Sequence, residues 1–180
     1  GFKVICADHY PDDPRAMPVY GHIARAGKAI LFHSGILWDW GPNASYNRPG
    51  NFECLLLVPG LRFALAHIAW PWCDELIAVY GKFMAMQDMP AYSGQRMYVD
   101  LTPGTPVIYR RDALRKLLLV GYEQMEKRML FGSDAFTDGY IPDIADMARL
   151  DCGIYGEIGL SAQAQEDIFY HNAMAFWGLA

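Results

Sequence analysis

Titratable residues recur where short apolar runs end: Asp8 with His9, then His33, His67, Asp100 with Thr102, and Asp134. Two imidazoles and a carboxylate arriving from separate runs make a ligand set suited to Zn²⁺, or to Mn²⁺ or Fe²⁺. Three protein ligands also leave a coordination position for water. A divalent metal brings the pKa of such a water toward 7, and a carboxylate alongside can accept its proton and pass it to a leaving group. His33, His67 and Asp134 are therefore the expected metal ligands, with Asp134 the expected catalytic carboxylate. Trp38 and Trp40, just after His33, offer aromatic surface for a small-molecule substrate, and Thr102 is placed to touch it.

Each of these residues also has a purely structural reading. A single His at a strand end is commonly a hydrogen-bonded part of the scaffold. Asp134, within Leu130-Phe131-Gly132-Ser133-Asp134, could cap a following helix. Asp100 divides evenly between strand-end chemistry and a structural hydrogen bond. His9 precedes the turn material Tyr10-Pro11-Asp12-Asp13-Pro14, where a polar residue needs no further explanation. His22 and His171 fall inside helix-like segments and read as packing or solvent-facing groups. Cys73, beside Trp70-Pro71-Trp72, sits in an apolar setting that does not favour a thiolate nucleophile.

The elements that must position these residues follow from the hydrophobic pattern. Apolar runs over 2–7, 29–33, 63–68, 97–101 and 128–132 are rich in β-branched and aromatic residues and bounded by turn formers. They are nearly continuous in apolar character, as suits parallel strands covered on both faces. Helices are expected between them. One covers 17–26, stopped by Gly27; another covers 52–58, capped by Asn51 and followed by Gly60. A third over 74–86 carries Leu76, Ile77, Val79, Tyr80 and Phe83 at helical spacing, and a fourth is expected from Asp112 through Met125. Pro142 suits the first turn of a helix over 143–150, and a last helix spans 162–177.

The strand starts lie roughly 30 residues apart, which is the length of a βαβ unit. An open doubly wound sheet would announce itself with a Gly-rich phosphate turn, and the sequence has none. The expected fold is a (β/α)₈ TIM-barrel type in which every strand delivers its last residue to one central cup. Such a barrel takes about 250 residues. The 180 residues are thus expected to hold about the last five β/α units in a single domain, with the first strands missing.

Composition narrows the function. The net charge of -5 and scattered Lys and Arg residues remove the electrostatic basis for nucleic-acid binding. No apolar stretch approaches the roughly 20 residues needed to cross a bilayer, so no membrane partner is expected. Cys6, Cys54, Cys73 and Cys152 form no CxxC pair, which fits a reducing cytoplasm. Uncovered sheet edges would favour self-association, so a homo-oligomer is expected.

With those residues in hand, the sequence resembles the amidohydrolase-related family, which includes aminocarboxymuconate semialdehyde decarboxylase, resorcylate decarboxylases and lactone hydrolases. Ile30-Leu31-Phe32-His33-Ser34-Gly35 is similar to the family's fifth-strand motif, which implies that His33 is a metal ligand. Leu61-Arg62-Phe63-Ala64-Leu65-Ala66-His67 is similar to the sixth-strand motif, whose His holds or polarises metal-bound water and is a ligand in two-metal relatives. Met129-Leu130-Phe131-Gly132-Ser133-Asp134 is similar to the eighth-strand motif, in which the Asp touches the metal and shuttles the proton. His171-Asn172-Ala173 matches the Asn-Ala segment that ends these proteins.

Two departures bear on function. The family's first-strand His-x-His pair occurs nowhere in the 180 residues, so part of the family's ligand set is not in this sequence. The Gly-Glu that follows the sixth-strand His in the decarboxylases is replaced by Ile68-Ala69-Trp70-Pro71-Trp72. The resemblance therefore implies hydrolysis of an ester, lactone or amide. The alternatives are non-oxidative decarboxylation and a non-catalytic barrel fragment that assembles with another chain.

Overall fold

A computed structural model describes residues 1–39, 41–87, 89–92, 94–135 and 143–179. The apolar runs form strands β1 (Phe2–Val4), β2 (Ala29–Phe32), β3 (Arg62–Leu65), β4 (Arg96–Asp100) and β5 (Met129–Leu130). All neighbouring pairs are parallel and the spatial order is β1-β2-β3-β4-β5. A doubly wound sheet reverses its strand order at a switch point, whereas a barrel adds each strand beside the last. The uninterrupted sequential order is the barrel's, and the chain is a mixed α/β fold of partial TIM-barrel type.

The two faces of the sheet are covered differently. Ile30, Phe32, Phe63, Leu65, Val99 and Met129 point into the main core beneath the helices. Leu31, Ala64 and Tyr98 stand opposite one another in register on the other face. There Ala29, Ala64, Tyr98 and Leu130 gather around Phe176, with Trp177 packed alongside. This second face would be the interior of a closed barrel. Arg62 donates from Nε to the Phe176 carbonyl at 2.5 Å and from Nη2 to the Gly27 carbonyl at 3.0 Å. The C-terminal segment is thereby tied to the N-terminal ends of β2 and β3, away from the strand ends that carry His33 and His67.

The helices are α1 (Met17–Arg25), α2 (Cys73–Met86), α3 (Val107–Leu119), α4 (Ile144–Ile158), α5 (Ala162–Glu166) and α6 (Asn172–Trp177). In α2, Leu76, Ile77, Val79, Tyr80 and Phe83 are all buried, as their spacing requires. A π-turn over Asp167–His171 joins α5 to α6, so the last helix is continuous in path.

Several elements differ from the sequence expectation. Residues 52–58 lie in a 3₁₀ helix over Pro49–Leu57, with Asn51 inside it rather than capping it. The Asn51 amide is instead drawn to the Ser45 carbonyl at 2.5 Å. Asp112 is also interior: α3 begins at Val107 after Pro106 and ends before Gly121, while Met125 starts a separate 3₁₀ turn. Asp112 pairs with Lys116 one turn on, at 3.0 Å. A carboxylate four residues before a lysine on a helix surface reads like a cap in sequence, although the start was set by Pro106. Asp143 caps α4 through its side chain, accepting from the Asp146 N–H at 3.0 Å. Pro142 lies outside the described residues.

Fully buried charges fix the position of α4. Arg110 in α3 and Asp151 in α4 are completely buried and paired through two bonds of 2.7 Å. Arg110 Nη2 also donates to the Leu101 carbonyl at 2.8 Å. One guanidinium thus holds two helices and the segment just beyond β4.

Candidate active site

His33 follows directly on β2, its backbone N–H donating to the Val4 carbonyl at 2.8 Å, and its side chain is buried. Its Nε2 is enclosed without a hydrogen-bond partner among the described residues. An orphaned ring nitrogen in a protein interior costs free energy unless a ligand or ion completes it. Burial pushes the His33 pKa down to about 3, with smaller contributions from neighbouring His67 and Lys3, so the ring is neutral and able to ligate.

His67 is reached by a different route from the expected strand. β3 stops at Leu65, and His67, Ile68 and Ala69 then adopt three successive left-handed conformations with φ of 62°, 51° and 51°. For residues with a Cβ this backbone is disfavoured, most of all for β-branched Ile68. All three are buried and over-determined by their surroundings. Thr105 Oγ1 donates to the His67 carbonyl at 2.8 Å, and Asp100 Oδ1 accepts from the His67 N–H at 3.3 Å. The turn swings the imidazole to within 5.0 Å of the His33 ring, centroid to centroid. Backbone strain of this kind concentrates at functional sites.

Two close approaches hold the histidines together. Gly35, with φ +98°, lies so near the Trp70 carbonyl that a Cβ there would meet it at 2.4 Å, and the Ile36 N–H donates to the same carbonyl at 3.1 Å. The loop after His33 is thus stitched to the loop after His67. Gly104 lies against the His67 ring, where a Cβ would stand 2.7 Å from His67 Cβ and 2.9 Å from Nδ1. Only a residue without a side chain permits that packing.

Behind His67 lies a short polar chain. Thr102 Oγ1 is 3.0 Å from His67 Nδ1 and also bonds Asp100 Oδ1, which in addition accepts from the Thr102 N–H at 3.2 Å. Thr102, expected to touch substrate, is buried with its hydroxyl engaged by these two neighbours. Asp100 has the hydrogen-bonding role that the sequence left open.

Asp134 stands four residues beyond β5 in a left-handed conformation, φ 52°, with its side chain exposed. The structure brings His33 and His67 together but does not gather Asp134 with them. Among the described residues no group of three or more His, Cys, Asp and Glu side chains is set to hold a metal ion. Asp134 and Asp100 nonetheless both act on Lys3, whose ammonium pKa is lowered by desolvation and partly restored by the two carboxylates. Lys3 in turn stands opposite Leu31 on the interior face of the sheet. Trp38 is 76% exposed, free to contact a ligand, and Trp40 lies outside the described residues.

Sequence reasoning missed Lys3, Gly104 and the Asp100–Thr102 connection. Lys3 interrupts an apolar strand, and a charge at such a position signals a polar interior. Gly104, within Thr102-Pro103-Gly104-Thr105-Pro106, lies in a Pro- and Gly-containing stretch whose composition alone gives no sign of a contact with His67. The thiols of Cys6 and Cys73 are pushed up to about 11 and that of Cys54 to about 12, chiefly by burial, so none of these is a ready nucleophile. Among the described residues no helix is long and apolar enough to cross a membrane.

The available nitrogens suit a divalent ion: two imidazoles lie side by side, one with an orphaned Nε2 and the other held through Nδ1, its Nε2 bonded to no described residue. A family model described as amidohydrolase matches residues 1–179. No curated protein matches the chain.

Proposed function

The chain belongs to the amidohydrolase family, and on that premise we propose that it acts as a metal-dependent hydrolase on an ester, lactone or amide carbonyl of a small molecule. Family members generally bind divalent metals. His33 and His67 would hold the ion here, with Asp134 as a carboxylate ligand, and zinc is our first choice over manganese or iron. When bound, such an ion polarises a carbonyl and acidifies water. The observation that carries this reading is the pairing of two buried imidazoles, one of them with a nitrogen that no described residue satisfies.

The protein's own groups divide the remaining work. Asp134, exposed at the strand-end side of the sheet, takes the proton from the attacking water and returns it to the leaving group. His67, held through Nδ1 by Thr102, would offer its Nε2 to the ion and so fix where the bound water stands. Lys3, whose ammonium feels both Asp100 and Asp134, would add positive charge beside Asp134. Trp38 supplies an apolar wall for the substrate.

The test is turnover of a panel of esters, lactones and amides by the zinc-supplemented protein, with carbon dioxide release followed in parallel on aromatic and enoic acids. Hydrolysis lowered about 10²- to 10⁴-fold in Asp134→Asn supports the reading. Carbon dioxide release without hydrolysis would replace it with decarboxylation. Inactivity toward the whole panel would overturn it in favour of a non-catalytic role.

A further inference from the structure

We propose that Asp100 and Thr102 form a relay that fixes the tautomer of His67, placing its proton on Nδ1 and leaving Nε2 bare, which makes Thr102 a positioning residue for the site. Asp100 Oδ1 faces the backbone N–H groups of His67 at 3.3 Å and Thr102 at 3.2 Å. Backbone amides can only donate, so this oxygen is an acceptor. The Thr102 hydroxyl also bonds Asp100 Oδ1, and its single proton is therefore committed to that carboxylate. Toward His67 Nδ1, 3.0 Å away, the hydroxyl can then offer only a lone pair. The interaction is a hydrogen bond only if Nδ1 carries the proton. In a neutral imidazole this leaves the lone pair on Nε2.

The surroundings restrain the arrangement. Asp100, Thr102 and His67 are all buried. Gly104 packs against the His67 ring, and Thr105 Oγ1 holds the His67 carbonyl at 2.8 Å. Turning the ring to present its other nitrogen would break the Thr102 contact at Nδ1. A metal-ligating histidine commonly has its second nitrogen held by a carboxylate or carbonyl. Here a hydroxyl is interposed, so the carboxylate acts on His67 through a group that reverses the donor and acceptor sense once. The tautomer stands on these hydrogen bonds alone; its use in holding a metal rests on the proposed function.

The experiment is nitrogen-15 NMR of the imidazoles in the full chain, metal-free, at mildly alkaline pH where histidines are neutral. His67 is assigned by the signals lost in His67→Gln, and Thr102→Val and Thr102→Ser are compared with the wild type. The expected wild-type spectrum shows a protonated Nδ1 and a bare Nε2 for His67. Thr102→Val should mix the tautomers or shift them to Nε2–H, and Thr102→Ser should restore the original. A wild-type His67 with its proton on Nε2 would overturn the proposal, and so would a folded Thr102→Val with an unchanged spectrum. Should Thr102→Val fail to fold, the wild-type and Thr102→Ser spectra still decide. Zinc titration separates the two ideas: the Nδ1–H tautomer with no zinc uptake upholds the relay and overturns the metal reading. Zinc affinity about 10- to 100-fold weaker in Thr102→Val supports both.

Discussion

His33 and His67 reach the same place from different strands, their rings 5.0 Å apart and inclined at 56°. The first is the direct continuation of β2, and the second is carried there by a left-handed turn after β3. Because β2 and β3 are adjacent and in register, with Phe32 opposite Leu65, the two side chains could be neighbours only if one strand bent at its end. The strained turn at His67 is that bend.

Gly104→Ala tests how tightly the ring is packed. A methyl group at this position would overlap His67 Cβ at 2.7 Å. The expected outcome is a loss of about 1–3 kcal/mol in stability with displacement of the ring. Urea unfolding measures the first and the His67 nitrogen signals report the second.

Acid sensitivity follows from His33. Its folded-state pKa is depressed to about 3, while an exposed His titrates near 6.5. Below about pH 6.5 the unfolded chain binds a proton that the folded chain refuses until about pH 3, so stability falls as pH falls through that window. In the metal-free protein the expected loss between about pH 8 and pH 5 is roughly 2 kcal/mol from this group. His33→Gln should flatten that part of the stability profile in urea melts at several pH values.

The Arg110–Asp151 pair should be costly to break from one side. Asp151→Asn or Arg110→Met leaves a buried charge without its partner, with an expected destabilisation of about 3–5 kcal/mol. The double variant Arg110→Met with Asp151→Leu should recover much of that loss, because no buried charge is left. Thermal denaturation of the wild type, Arg110→Met, Asp151→Leu and the double variant completes the cycle.

Asn172 anchors the C-terminal helix to the last strand. Its Nδ2 donates to the Glu126 carbonyl at 2.7 Å and the Met129 carbonyl at 2.8 Å. Asn172→Ala should cost about 1–3 kcal/mol by stranding these acceptors. Protease nicking near the C-terminus should rise, which timed digestion with mass spectrometry would detect.

Much of the scaffold was legible because parallel strands and amphipathic helices write themselves as local periodicity. The five strands and the buried stripe of α2 follow from pattern alone. Histidines at strand ends were visible for the same reason. What was not legible depends on contacts distant in sequence. Nothing in Ala66-His67-Ile68-Ala69 announces a left-handed turn, since Ile68 and both alanines are ordinary there. The turn exists because Asp100, at the end of β4, and Thr105, beyond it, hold its backbone. Thr102 was legible as a strand-end polar group, but its orientation toward His67 depends on the pairing of β3 with β4. Asp112 shows the converse error, a local signal for a helix start that Pro106 had already set.

Metal content by plasma mass spectrometry on the purified, zinc-equilibrated chain decides whether these strand ends form a divalent-metal site. Beside the wild type stand His33→Ala, His67→Ala and Asp134→Asn. Near-stoichiometric zinc is expected in the wild type, lost in both histidine variants and diminished in Asp134→Asn. Absence of zinc from the wild type, or its full retention by both histidine variants, would mean that the strand ends form no such site.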